Sequence, residues 1–364
     1  MLLNTITKEL ESIAPLQLQE SYDNSGLLIG RPDSVITGVI ITLDVTEEIL
    51  KEAISKKCNL IIAHHPLIFK GIKSITGRNS IERIVEEAIK NDIAIYAIHT
   101  NLDNVDNGVN DILCQKLGLI NTQILSVKSG LLRKLVTFCP IDHAEKVRES
   151  IFNAGAGQIG NYDNCSFNAS GEGSFRALED TNPFVGEKGK LHFEKETRIE
   201  TIYPIYHERA ILKALFEAHP YEEVAYDIYP LANNFKQVGA GMIGELESPK
   251  DETEFLKDIK KITGTGCVRH SALTGRKIKK VAVCGGSGSF LIPDALKHQA
   301  DIFITGDVKY HEFFDAEGKM LIADVGHFES EQFSKELIYS ILMKKFPTFA
   351  VQISEINTNS VNYL

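Results

Sequence analysis

The chain has 364 residues, too many for one ordinary hydrophobic core, so two or more domains are expected. Hydrophobic residues make up 43% and charged residues 24%, the profile of a soluble globular protein, and no run approaches the roughly 20 apolar residues of a membrane span. The net charge of −10, with no basic block, argues against a dedicated nucleic-acid surface, which needs clustered Lys and Arg.

Met1 to Leu18 reads as an amphipathic helix. Lys8, Glu9 and Glu11 interrupt it, and it lacks the apolar core and small-residue cleavage site of a signal peptide, so a cytoplasmic protein is expected. Six scattered cysteines (Cys58, Cys114, Cys139, Cys165, Cys267 and Cys284) form no CxxC pair and suit reduced, mostly buried thiols.

Strands and helices then alternate. Val39 to Leu43 is a strand ended by Asp44, and Thr46 to Lys56 has helical spacing. Asn59 to Ala63 is a second strand that runs into His64-His65-Pro66. Ser80 to Asn91 is a helix with Ile81, Ile84, Val85 and Ala88 on one stripe, and Ile93 to Ile98 is a third strand ending at His99. Near-continuous apolar strands between amphipathic helices indicate a buried, mostly parallel sheet.

The segment 126–235 has a grammar of its own. Lys134 to Pro140 aligns with Arg198 to Pro204 at a constant offset of 64, and the match continues through His143 with His207 and Ile151 with Leu215. Each copy is a strand, a Pro turn and an amphipathic helix, and a further strand is expected over Val224 to Tyr229. Two such β-α-β units make a ferredoxin-like α+β module, whose neighbouring termini suit an insertion. His219-Pro220-Tyr221-Glu222-Glu223 reads as turn and packing chemistry, with a small-ligand or gating role as the other reading.

The last part repeats the first. Lys280 to Cys284 is a strand followed by Gly285-Gly286-Ser287-Gly288-Ser289, then Pro293 to His298 is helix. Asp301 to Ile304 and Lys319 to Ala323 are further strands, the latter ending in Asp324-Val325-Gly326-His327. Val39 to Leu60 and Val281 to Ile302 are both separated by 21 residues. The expected architecture is therefore α/β: two half-repeats, residues 1–125 and 236–364, forming one discontinuous metal-binding domain, with 126–235 inserted.

Ligands of open α/β sheets bind beyond the carboxyl ends of strands, where all the histidine motifs fall. At a strand end, with Pro66 turning the chain, His64 and His65 can converge. His327 and Glu331 share a helical face if Gly326 precedes a helix start, and Asp103 can bridge two cations. Nitrogen and oxygen ligands without thiolate suit zinc, manganese, iron or cobalt. His64, His65, Asp103, His327 and Glu331 fit a centre of two divalent ions better than one structural zinc; such ions sit roughly 3.5–4 Å apart and share a hydroxide. His99 either faces substrate and supports the ligands or simply packs. The glycine run is either an anion-holding loop or a tight turn. Asp307, Lys309, Tyr310 and His311 either supply acid–base groups to the cleft or form a solvated helix start.

Ser21–Gly30, Ala63–Pro66, His99–Asp103 and Gly326–Glu331 together resemble the motifs of the Nif-three-like proteins, also called GTP cyclohydrolase 1 type 2 homologues, over essentially the whole chain. Ile159–Tyr162 and His219–Glu223 resemble the PII-like or CutA-like insert of longer bacterial members. The resemblance carries the metal-ligand role onto those five residues, zinc being the first expectation. It implies a toroidal homohexamer and hydrolytic opening of the guanine ring of GTP. The reading is a metal-dependent hydrolase attacking a purine C8 or an amide carbon of a nucleotide-like small molecule, with His99 or His311 moving protons. The alternative is a metal-binding regulatory or scaffold protein whose insert senses a small ligand or partner.

Overall fold

The structure, a computed structural model, describes residues 1–364 and divides into two compact units, 1–127 with 236–364, and 128–235. The first unit opens with α1 (Leu3–Ile13), shorter than the sequence suggests because Pro15 has no N–H to continue the ladder. There follow β1 (Gly26–Ile29), β2 (Val39–Thr42), α2 (Glu47–Ser55), β3 (Leu60–Ala63), α3 (Ser80–Lys90), β4 (Ala94–Ala97), α4 (Thr100–Asp103), α5 (Val109–Lys116) and β5 (Ile120–Ser129). Thr46 and Asn79 start α2 and α3 by accepting from the N–H groups of Ile49 and Glu82. Ile84, Val85 and Ala88 of α3 are buried, whereas Ile81 is 39% exposed. Glu82 takes the inward place in that first turn, where its carboxylate accepts from the N–H groups of Thr76 and Arg78.

The second unit contains β6 (Leu132–Pro140), α6 (Ala144–Asn153), β7 (Phe167–Arg176), β8 (Leu191–Pro204), α7 (Glu208–Ala218) and β9 (Tyr226–Pro230). Its sheet has the order β7-β8-β6-β9 and every pairing is antiparallel, which is the order of two interleaved β-α-β units. The offset of 64 becomes an internal pseudo-symmetry. Ile151 and Leu215 are both fully buried in one core, and Ser150 Oγ donates to the carbonyl of Ala214 at 3.1 Å.

The first unit resumes with β10 (Asn234–Lys250), α8 (Glu252–Thr263), β11 (Arg269–His270), β12 (Ile278–Ser287), α9 (Ile292–Lys297), β13 (Ile302–Gly306), β14 (Leu321–Asp324), α10 (His327–Glu331), α11 (Ser334–Lys345) and β15 (Val351–Ile353). It holds two sheets, β1-β4-β3-β2-β15 and β11-β14-β13-β12-β10-β5. Both contain a run of three parallel strands, β2-β3-β4 and β12-β13-β14, with an antiparallel strand against the third; in the first sheet β15 adds a fourth parallel strand beside β2. The 21-residue spacing is the register itself: Val39 pairs with Leu60, and Val281 with Ile302. All four residues of β2, β3 and β4 are buried, as a sheet covered on both faces requires, and each fully buried Ile contributes about 1.5–3 kcal/mol of transfer free energy.

Two features correct the sequence reading. The halves are not separate along the chain, because β15 pairs with β2 in the N-terminal sheet while β5 joins the C-terminal one. The glycine run is not a loop either, since β12 continues through Ser287.

Candidate metal centre

His64 and His65 follow β3 directly. His64 is fully buried, and its Nδ1–H donates to the Ile98 carbonyl at 2.9 Å, an assignment that leaves Nε2 as the bare nitrogen. That Nε2 has no hydrogen-bond partner, and neither has the buried Oδ1 of Asp103, 3.6 Å away. Glu331 Oε2 lies 3.8 Å from the same nitrogen. Two facing, buried acceptors without a donor between them are a costly arrangement for a protein alone and a fitting one for a cation.

His65 places Nδ1 2.7 Å from Asp44 and Nε2 2.9 Å from Glu331. Its neighbour in space is His327, the first residue of α10. Gly326 starts that helix with φ +96°, which a side chain would resist, and so turns His327 and Glu331 onto one face. His327 Nδ1 lies 2.7 Å from Asp307, and its Nε2 is 3.0 Å from Glu331 and 3.3 Å from His65 Nε2. His99 Nδ1 is 2.8 Å from Asp23, with its ring 5.3 Å from those of both His64 and His65.

One rule runs through all four histidines: Nδ1 is fixed by an oxygen, from Ile98, Asp44, Asp23 or Asp307, and Nε2 is left for the interior. Such outer partners set the tautomer and ring orientation of metal-binding imidazoles. The donor atoms fall into three groups, each within 4.8 Å: His64, His65 and His99; His65, His327 and Glu331; His64, Asp103 and Glu331. Glu331 belongs to two of them, as a carboxylate bridging two positions would.

The electrostatics follow. Burial alone would lower the pKa of His65, but its bonds to Asp44 and Glu331 raise it to about 10. Burial opposes His327 too, yet Glu331 and Asp307 raise it to about 9. Burial and then the charge of Glu331 push Asp103 up, whereas Glu331, despite its burial, is held well below the usual carboxylate range by the three imidazoles. Asp23 is also lowered: burial opposes this, but His99 and Thr100 bind its charged form. Cys284 lies near this cluster, and burial followed by the charges of Asp103 and Glu331 keeps it a thiol.

The five predicted ligands are thus brought together, and His99 joins them. His311 does not. It sits on the exposed turn after Asp307, its ring against that of Tyr310 at 5.1 Å, because the chain turns outward there. Asp307 itself, half exposed, turns its carboxylate to His327 Nδ1 and accepts from Ser287 Oγ instead of capping a solvated helix. The amides of the glycine run are already bonded, Gly285 N to Asn110, Gly286 N to Ser330 Oγ and Gly288 N to Thr305 Oγ1, so they are no anion cradle. The run is glycine because of close approach: a Cβ on Gly286 would collide with Glu331 and meet His327 Cε1 at 3.3 Å. Asp23 and Asp44 were not singled out from sequence. Asp44 carries a readable signal, since it closes β2 as Asp307 closes β13.

Two mixed sheets, the carboxyl ends of their parallel strands converging on histidines and carboxylates, define an α/β protein with a candidate metal centre. The sequence model of the family described as Duf34/NIF3 (NGG1p interacting factor 3) matches residues 1–360, and the chain belongs to that family. It is 40% identical over 365 residues to a protein of Halalkalibacterium halodurans named "GTP cyclohydrolase 1 type 2 homolog", covering 99% of this chain and 98% of that one. A Bacillus subtilis protein of the same name is 39% identical over 366 residues, again covering 99% and 98%. A solved structure described as a Bacillus cereus protein related to NIF3 superposes with a TM-score of 0.86 at 39% identity, covering 100% of this chain and 99% of that one. No helix is long and apolar enough to cross a membrane.

Proposed function

We propose that this protein is a hydrolase dependent on two divalent metal ions, acting on a nucleotide-like substrate. The observation that carries the reading is the pair of buried, unpartnered atoms, His64 Nε2 and Asp103 Oδ1, beside a Glu331 common to two donor groups. His64, Asp103 and Glu331 would hold one ion and His65, His327 and Glu331 the other, with zinc the first candidate and manganese, iron or cobalt the alternatives. When bound, the ions would lower the pKa of water and polarise the bond it attacks.

The chain's own residues do the rest. Asp44, Asp307 and the Ile98 carbonyl hold the imidazoles in the ligating tautomer. His99, oriented by Asp23 and with its ring 5.7 Å from that of Phe69, is placed to take up and return a proton at its Nε2. The name carried by the relatives, GTP cyclohydrolase 1 type 2 homolog, makes GTP the first substrate to test. The interleaved order of the insert supports reading it as PII-like, and the family resemblance adds a toroidal homohexamer, which light scattering on the purified protein checks.

The decisive experiment measures metal content and GTP turnover together. The purified chain should hold two ions per subunit and open GTP. Glu331→Ala should lose both, and a metal-free Glu331→Ala protein that turns over GTP at the parental rate overturns the proposal.

A further inference from the structure

The second unit contains a cavity of about 610 Å³. It lies on the sheet face away from α6 and α7. Side chains alternate along β8, so Thr197, Ile199 and Tyr203 are buried on the helix side while Glu196 and Arg198 line the cavity. Opposite them β7 is stripped of bulk. Gly171 is the cross-strand partner of Glu196, and a Cβ on Gly173 would collide with the Glu196 carboxylate. The glycines therefore leave one carboxylate standing on the cavity floor.

The walls are aromatic. Phe138, Phe175, Phe184 and Tyr221 surround the space, with the rings of Phe175 and Phe184 at 6.0 and 6.3 Å from that of Tyr221. The Tyr221 hydroxyl donates to Glu196 Oε1 at 3.0 Å. Burial and the neighbouring Glu196 raise the pKa of that phenol, so it remains a donor. The charge balance is uneven. Glu172, Glu222 and Glu223 also line the cavity, against Arg176 and Arg198. Arg198 is already paired with Glu200 at 2.9 Å and lies over the Phe138 ring.

A negative floor between aromatic faces repels anions and attracts a desolvated cation twice, by Coulomb attraction and through the ring quadrupoles. The volume is that of a small-molecule site. We propose that the insert binds a small organic ammonium, with its charge on Glu196 and its apolar part between Phe138, Phe175, Phe184 and Tyr221. This goes beyond the metal-centre reading and does not depend on it.

The test is calorimetric titration of the full chain with benzyltrimethylammonium chloride, benzyl alcohol and benzenesulfonate, which share a ring and differ in charge. The cation should bind saturably, about tenfold tighter than the neutral alcohol, and the sulfonate should not bind. Glu196→Gln keeps an acceptor for Tyr221 and should weaken the cation about tenfold while leaving the alcohol unchanged; Phe175→Leu should weaken both. Thermal melts accompany each variant. If the unmodified chain binds the cation no better than the alcohol, the proposal fails whatever the variants do. It also fails if Glu196→Gln melts normally and binds the cation as before.

Discussion

The Nε2 atoms of His65 and His327 lie 3.3 Å apart, although 262 residues separate them in sequence and each comes from a different sheet. Nothing local brings them together. Two strand ends and one buried carboxylate, Glu331, do so.

Without metal, the two imidazoles make stability depend on pH. Their pKa values, about 10 and about 9, stand above the ordinary 6.5. A raised histidine stabilises the fold fully below its unfolded value, and that contribution is lost as pH rises through the folded value. Glu331 has the opposite sign: its contribution is present above its ordinary 4.5 and is lost as pH falls toward its depressed native value. Chelator-treated protein should therefore melt lower at pH 9.5 than at pH 6.5, and divalent metal should remove the difference. Equal melting temperatures at the two pH values in chelator would contradict the assignment.

Metal uptake should release protons. At pH 7 the metal-free His65 and His327 are protonated, and both must become neutral to act as ligands. Calorimetry in buffers of differing ionisation enthalpy should show proton release on binding zinc, and less of it at pH 9. Binding with no buffer dependence would rule the two histidines out as ligands.

Asp307→Asn should keep the fold and damage the centre. The carboxylate, 2.7 Å from His327 Nδ1, fixes which nitrogen faces Glu331, and an amide can present its NH₂ there instead. Removing such a partner typically costs about 10–100-fold in metal affinity. Competition with a fluorescent zinc chelator measures it. An affinity within twofold of the parent would mean that Asp307 only caps its own turn.

Gly286→Ala should disturb stability and metal binding at once. Gly286 has φ +62°, and its missing Cβ is the space Glu331 occupies. A loss of about 1–3 kcal/mol is expected for the backbone alone. Urea melts and elemental analysis report the two effects separately.

The repeat inside the insert predicts matched costs. Ile151→Ala and Leu215→Ala each empty a fully buried position of one core, so each should cost about 2–5 kcal/mol. A variant pair differing by much more than that range would show that the two halves carry unequal load.

Much of this was legible because it is periodic or punctuated. The 21-residue spacing reads as parallel register because a β-α-β unit must return to the same strand level, and histidines after apolar runs sit where such sheets bind ligands. The offset of 64 reads as pseudo-symmetry because equivalent positions face one core. What escaped depends on tertiary contact. Ile81 fits the stripe by spacing, yet Glu82 wins the place through hydrogen bonds to the chain before it. Gly285 to Ser287 resembles a loop by composition, but the glycines are chosen for the nearness of Glu331, 45 residues beyond Gly286. Asp23 and Asp44 earn their roles from histidines 76 and 21 residues away. His311 follows a strand end as the clustered histidines do, and the exposed turn after Asp307 carries it away from them.

The placement of β15 sets an order of events for a growing chain. The N-terminal sheet lacks its edge beside Val39–Ile41 until residues 351–353 have been synthesised. A nascent polypeptide released from the ribosome tunnel through β14 alone would still present an unpaired strand flank at β2. Completion of that sheet therefore waits for residues 351–353, and translation products cut short before them should be recognised by chaperones and proteases through the open flank.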